Sequence, residues 1–282
     1  MRILAFTVML IFQMRISRSL IYRSGFSLPP QASSLRSGRK LSASSRGLGV
    51  EKLLPVYLSR AKGRKDLINL SIAENRQITD LLLPKINEMR SATPFTDDMI
   101  YYQDTSGIES TRASFGRFFT SNFLPPSSLY VFDPDNCVIG AGCNAVLENL
   151  IVTLCDPGDV VMIPEPYYAT FGFDLGSRAG VGIVGVPTSG SRDGSTSKTP
   201  YFPTKDDLQK AYNSSSVKPK ILLLTHPHNP LGICYDEDTL RDIVEWARSV
   251  GVELISDEIY GGRLVFADVS RFSSLGLLRI FF

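Results

Sequence analysis

The first fifty residues contain no acid: Glu51 is the first carboxylate, while eight Lys/Arg precede it. Residues 51–282 then carry 22 Lys/Arg against 28 Asp/Glu, a net −6, so the formal +2 of the whole chain comes from its N-terminal segment. A mildly acidic body with no basic stripe argues against a nucleic-acid partner. Cysteine is scarce too. Cys137, Cys143, Cys155 and Cys234 form no C-x-x-C pair and no metal-ligand spacing, which excludes a disulfide framework or a zinc knuckle. The chain has only two histidines, His226 and His228. Their H-x-H has no third ligand at recognisable spacing, and they read as loop residues flanking an Asn-Pro turn. No apolar run is long enough to span a bilayer; Ile3–Phe12, the longest near the N-terminus, stops at ten residues. Lysine is missing from the C-terminal end, where Lys220 is the last.

Residues 1–46 read as a leader outside the fold. Residues 13–46 are Arg- and Ser-rich and acid-free, as an organelle transit peptide is, and equally fit a disordered segment with no address. Localisation stays open between an organelle and the cytoplasm.

From Asp133 onward the chain alternates short apolar runs with helical patterns. Strands are predicted at 137–139, 160–163, 181–186, 220–224 and 252–255. Helices are predicted at 143–155, 168–177, 206–214 and 236–250, the last capped by Asp236 and stopped by Gly251. Upstream, 81–89 reads as a short helix and 107–123 as a longer one. In the latter Phe115, Phe118, Phe119 and Phe123 form a core stripe. Residues 188–200 have no apolar side chain and read as a solvated loop. This order implies an α/β fold, a mainly parallel sheet with helices on both faces. Ligands of such sheets sit at the carboxyl ends of the strands.

Four strand ends carry chemistry. Gly140-Ala-Gly-Cys-Asn-Ala145 places a glycine turn before a helix, whose open amides suit a phosphate. The letters also fit G-x-G-x-x-A, with Glu165 beyond the next strand, so a dinucleotide site and a plain tight turn stay open here. Pro164-Glu-Pro-Tyr-Tyr168 offers aromatic faces. His228-Asn-Pro-Leu-Gly232 offers an amide donor, and Asp257-Glu-Ile-Tyr260 a carboxylate that needs a partner if buried.

Taken in order, these motifs resemble the pyridoxal-phosphate-dependent aminotransferases of class I/II (fold type I), and in particular the 1-aminocyclopropane-1-carboxylate synthase branch. Ile72-Ala-Glu-Asn75 is similar to that branch's L-A-E-N, and Tyr102-Gln-Asp104 to its Y-Q-D. Asp156-Pro-Gly-Asp159 and Asn229-Pro-Leu-Gly232 fit it as well. The resemblance implies a cofactor-binding large domain over 107–282, incomplete at its end, and an N-terminal arm with part of a small domain over 47–106. It also implies pyridoxal 5′-phosphate, an amino-acid substrate and a homodimer. Residue by residue, it implies phosphate held by the amides of Cys143, Asn144 and Ala145, and a ring stacked on Tyr168. Asp257 would face the ring nitrogen, and Asn229 and Tyr260 the 3′-oxygen. Glu74 and Tyr102 would face substrate or a neighbouring subunit.

The chain departs from the family at one decisive point. A lysine in S-x-x-K or S-x-S-K follows D-E-x-Y in the family, yet only 25 residues follow Asp257 here and none is lysine. Ser195-Thr-Ser-Lys198 has the letters but precedes D-E-x-Y in a hydrophilic loop, where a low-pKa amine is not expected. The expectation is an aminotransferase or synthase-like chain, cut before its lysine, inactive as it stands and poorly soluble. Two other readings remain: a non-catalytic binding protein from the same half-fold, or a dinucleotide-binding oxidoreductase resting on G-x-G-x-x-A alone.

Overall fold

A computed structural model describes residues 75–123, 131–188 and 201–261, together with the backbone of Ile3–Thr7 and Ile11–Gln13. The chain divides into two compact units, one of residues 46–104 and one of residues 1–45 with 105–282.

In the larger unit β1 (Ile3–Thr7) and β2 (Ile11–Gln13) come first. β1 is hydrogen-bonded parallel to β7 (Glu253–Glu258), pairing Ile3 with Leu254. In the smaller unit, α1 (Thr79–Ala92) is longer at both ends than the expected 81–89, and contains Pro84. Back in the larger unit follow α2 (Glu109–Phe123), β3 (Cys137–Ile139), α3 (Cys143–Leu154), β4 (Val160–Pro164), α4 (Phe171–Gly176) and β5 (Gly182–Val186). Next come α5 (Lys205–Ser214), β6 (Ile221–Thr225), α6 (Glu237–Val250) and β7. Of the loop expected at 188–200, residues 189–200 lie outside the described residues.

The sheet order is β3-β2-β1-β7-β6-β4-β5. β5, β4, β6 and β7 are mutually parallel, joined by helical crossovers, so the parallel-sheet expectation holds. Side chains alternate between two buried faces with the two-residue strand period. Val161, Ile163, Ile221, Leu223 and Ile255 pack on one face with Val146, Leu147, Leu150 and Ile151 of α3 and with Phe171 and Leu175 of α4. Met162, Leu222, Leu224 and Leu254 pack on the other face, with Leu208 and Ala211 of α5 and with Leu240, Ile243, Val244 and Ala247 of α6. A sheet sandwiched this way needs strands apolar on both sides, which is why β6 reads ILLLT with every residue buried.

Local signals fix the helix ends. Asp236 accepts the Thr239 N–H, and Gly251 takes the left-handed conformation (φ 73°) at the end of α6. Thr204 and Asp207 form a reciprocal capping box on α5. The aromatic stripe of α2 holds for Phe119, which is buried against Phe132 with Phe115 and Phe123 beside it. Phe118 is an exception and stays exposed, because one residue turns it about 100° away from Phe119 around the helix. Among the described residues no helix is long and apolar enough to cross a membrane.

Candidate functional site

β3, β4, β6 and β7 point the same way, so the segments after Ile139, Pro164, Thr225 and Glu258 converge along one edge of the sheet. There they enclose a cavity of about 160 Å³. Its walls are Cys143, Asn144, Leu147, Tyr168, Phe171, Asp174, Thr225, Asn229, Asp257, Ile259 and Tyr260.

One wall is the start of α3. Gly140 lets the turn fold onto the helix, for a Cβ there would lie 2.5 Å from Val146 Cγ2. Gly142 has φ 106° and ψ 154°, a conformation open to glycine almost alone. The first intrahelical hydrogen bond runs from Val146 N–H to Gly142 O, and Gly142 has no side chain to cap the turn. The amides of Cys143, Asn144 and Ala145 therefore have no acceptor within the helix. Such an open start, together with the helix dipole, suits an anion.

Opposite lies Asp257, 7% exposed on an inner strand. Its Oδ1 accepts the Ile259 N–H at 3.1 Å and the Cys143 thiol at 3.5 Å. Burial pushes the carboxyl above its ordinary range, while those two donors pull it back. Burial, and next the charge of Asp257, pushes the Cys143 thiol up, so it stays a protonated donor. The end of β6 is tied to β7 by His226 N–H to Asp257 O at 2.8 Å. Asn229 then donates through Nδ2 to the Tyr260 hydroxyl at 3.2 Å. Tyr168 is 41% exposed and stands edge-on to Phe171, with ring centroids 5.4 Å apart.

Six of the expected cofactor residues thus share one cavity: Cys143, Asn144, Tyr168, Asn229, Asp257 and Tyr260. The Ala145 side chain is not on the wall, although its amide belongs to the same first turn. Tyr102 lies in the smaller unit and is fully exposed, and Glu74 lies outside the described residues. Asp174 and Thr225 line the cavity without having been expected there. Both are buried, at 5% exposure each. Asp174 accepts from Asn144 Nδ2 at 2.9 Å.

The two histidines have structural roles. His226 Nδ1 accepts the Tyr235 N–H and His228 Nδ1 the Leu231 N–H, both rings packing against the buried Tyr235. Burial lowers His228 to about 4, so it is neutral at physiological pH. Glu165, the acidic residue of the dinucleotide reading, is exposed and crowds Gly185 of the neighbouring strand rather than lining the cavity.

Comparison with known proteins identifies the family. The family model described as aminotransferase class I and II matches residues 65–276. Among curated proteins, 1-aminocyclopropane-1-carboxylate synthase 2 of Arabidopsis thaliana is 34% identical over 223 residues, 76% of this chain and 42% of that protein. A probable aminotransferase of Leptosphaeria maculans is 31% identical, over 79% of this chain and 51% of its own. A human protein named as a probable inactive 1-aminocyclopropane-1-carboxylate synthase-like protein is 32% identical, over 71% of this chain and 35% of its own. The chain thus spans about half the length, or less, of the curated relatives it matches. Among solved structures, aspartate aminotransferase of Thermotoga maritima superposes with a TM-score of 0.62 at 24% identity, covering 85% of this chain and 57% of that one. That likeness carries the fold. With three-quarters of its length matched by the family model, the chain belongs to the class I and II aminotransferases.

Proposed function

We propose that the cavity binds pyridoxal 5′-phosphate and that the chain is the cofactor-docking part of an aminotransferase or 1-aminocyclopropane-1-carboxylate synthase-like enzyme acting on an amino acid. The observation that carries this reading is the pairing of a buried carboxylate, Asp257, with an open helix start across one small cavity. A buried carboxylate facing two neutral donors suits a ligand that brings a cationic N–H, and the amides of Cys143, Asn144 and Ala145 suit a phosphate. The donor set therefore fits the group that the family uses.

In this reading Asp257 holds a proton at the ring nitrogen, Asn229 and Tyr260 donate to the phenolic oxygen, and Tyr168 covers one ring face. When bound, the cofactor supplies an electron-accepting ring for bond breaking at an amino acid's Cα. By the family resemblance alone, Glu74 and Tyr102 are proposed to face substrate or a neighbouring subunit. The contacts assigned to these residues are all noncovalent.

Equilibrium titration of the full chain tests this. Saturable one-to-one binding of pyridoxal phosphate, with pyridoxal bound at least about tenfold more weakly, is expected, because only the former engages the helix amides. Equal affinity for the two, or binding of a nicotinamide dinucleotide in their place, would overturn it.

A further inference from the structure

The cofactor scheme leaves Asp174, a charged residue of the cavity wall, without a role. Asp174 sits on α4, buried, with its Oδ1 accepting from Asn144 Nδ2 at 2.9 Å. Asn144 is the second residue of α3, so this bond, spanning thirty residues of sequence, anchors the turn whose amides face the cavity.

The charged and titratable groups around Asp174 are few. From α3 come the Cys143 thiol and Glu148, and from β7 comes Asp257. Arg178, just past α4, is engaged with Glu148 at 3.0 Å. The facing strand β5, Gly182–Val186, has no titratable side chain, and Tyr168 precedes α4 on the cavity wall. Burial, then the charges of Glu148 and Asp257, push the Asp174 carboxyl up to about 6. A second carboxylate at an anion site is costly unless it has a purpose or a proton.

We propose that Asp174 is a positioning residue and a charge gate for the phosphate site: through Asn144 it holds the start of α3 toward the cavity, and its negative charge opposes a phosphate dianion bound there. This inference rests on the cofactor reading above. Linkage gives the sign. The carboxyl is neutral below about 6, and anion binding raises its proton affinity further, so affinity for the phosphate falls as pH rises through that value.

The test measures pyridoxal phosphate and pyridoxal binding from pH 5 to pH 8 on the full chain and on Asp174→Asn. The Asn oxygen keeps the acceptor for Asn144 and removes the charge. Because the ligand's own titration is common to both proteins, their ratio isolates Asp174. The wild-type to D174N ratio of Kd for pyridoxal phosphate is expected to rise about tenfold across the range, and the ratio for pyridoxal to stay flat. Asp174→Ala, uncharged but without the acceptor, should repeat that trend while binding pyridoxal phosphate more weakly than D174N at every pH. A flat ratio for pyridoxal phosphate, or the same slope for pyridoxal, refutes the gate and leaves the cofactor site standing. Failure of wild type and D174N alike to bind pyridoxal phosphate refutes the cofactor reading and the gate with it.

Discussion

Replacing Asp257 by Asn separates the energetic cost of the site from its use. The carboxylate is 7% exposed on an inner strand, with a backbone N–H and a thiol for partners. Burial raises its proton affinity in the folded chain above the ordinary 3.8. The sign follows from proton counting. Above 3.8 the unfolded chain releases this proton while the folded chain still holds it, so stability falls as pH climbs from 3.8 through the raised value. Asn keeps an acceptor and cannot ionise, so urea melts of D257N without ligand should lack that decline and show equal or greater stability at neutral pH. Binding should move the opposite way. The variant loses a charge-assisted hydrogen bond to the ring nitrogen, about 1.5–3 kcal/mol, which weakens pyridoxal phosphate about 10- to 150-fold. A D257N chain that is less stable at neutral pH, or one that binds pyridoxal phosphate as tightly as wild type, would refute this reasoning.

Two further substitutions probe other walls of the cavity. Tyr260→Phe removes the hydroxyl that Asn229 Nδ2 reaches at 3.2 Å; titration should show pyridoxal phosphate weakened about 2- to 13-fold, with little change in melting. Gly142→Ala meets no atom within 4 Å, so its cost is conformational alone. At φ 106° and ψ 154° that cost is about 1–3 kcal/mol in a urea melt, accompanied by weaker phosphate binding as the amides turn away.

Much of this architecture is legible in the sequence, because its signals are local. Asp236 and Gly251 bracket α6 by capping chemistry, and the buried runs of β4, β6 and β7 announce a sheet covered on both faces. The cavity wall could be read because each motif directly follows a strand, and a parallel sheet gathers such ends on one edge. What escaped depends on distant pairing. β7 runs past Ile255 to Glu258 because Thr225 of β6 pairs with Asp257 in register. The pairing of β1 with β7 likewise joins residues about 250 positions apart, which no local pattern announces. Asp174 looks like the polar side of a short helix. Its hydrogen-bond partner Asn144 lies thirty positions away, and no periodicity within α4 reveals it.

The central claim is tested most directly by the crystal structure of the 282-residue chain soaked with pyridoxal phosphate. The account predicts phosphate oxygens within about 3 Å of the Cys143, Asn144 and Ala145 amides, with the ring nitrogen against Asp257. A phosphate bound away from the start of α3, or a ring that leaves Asp257 facing only Ile259 and Cys143, would contradict it.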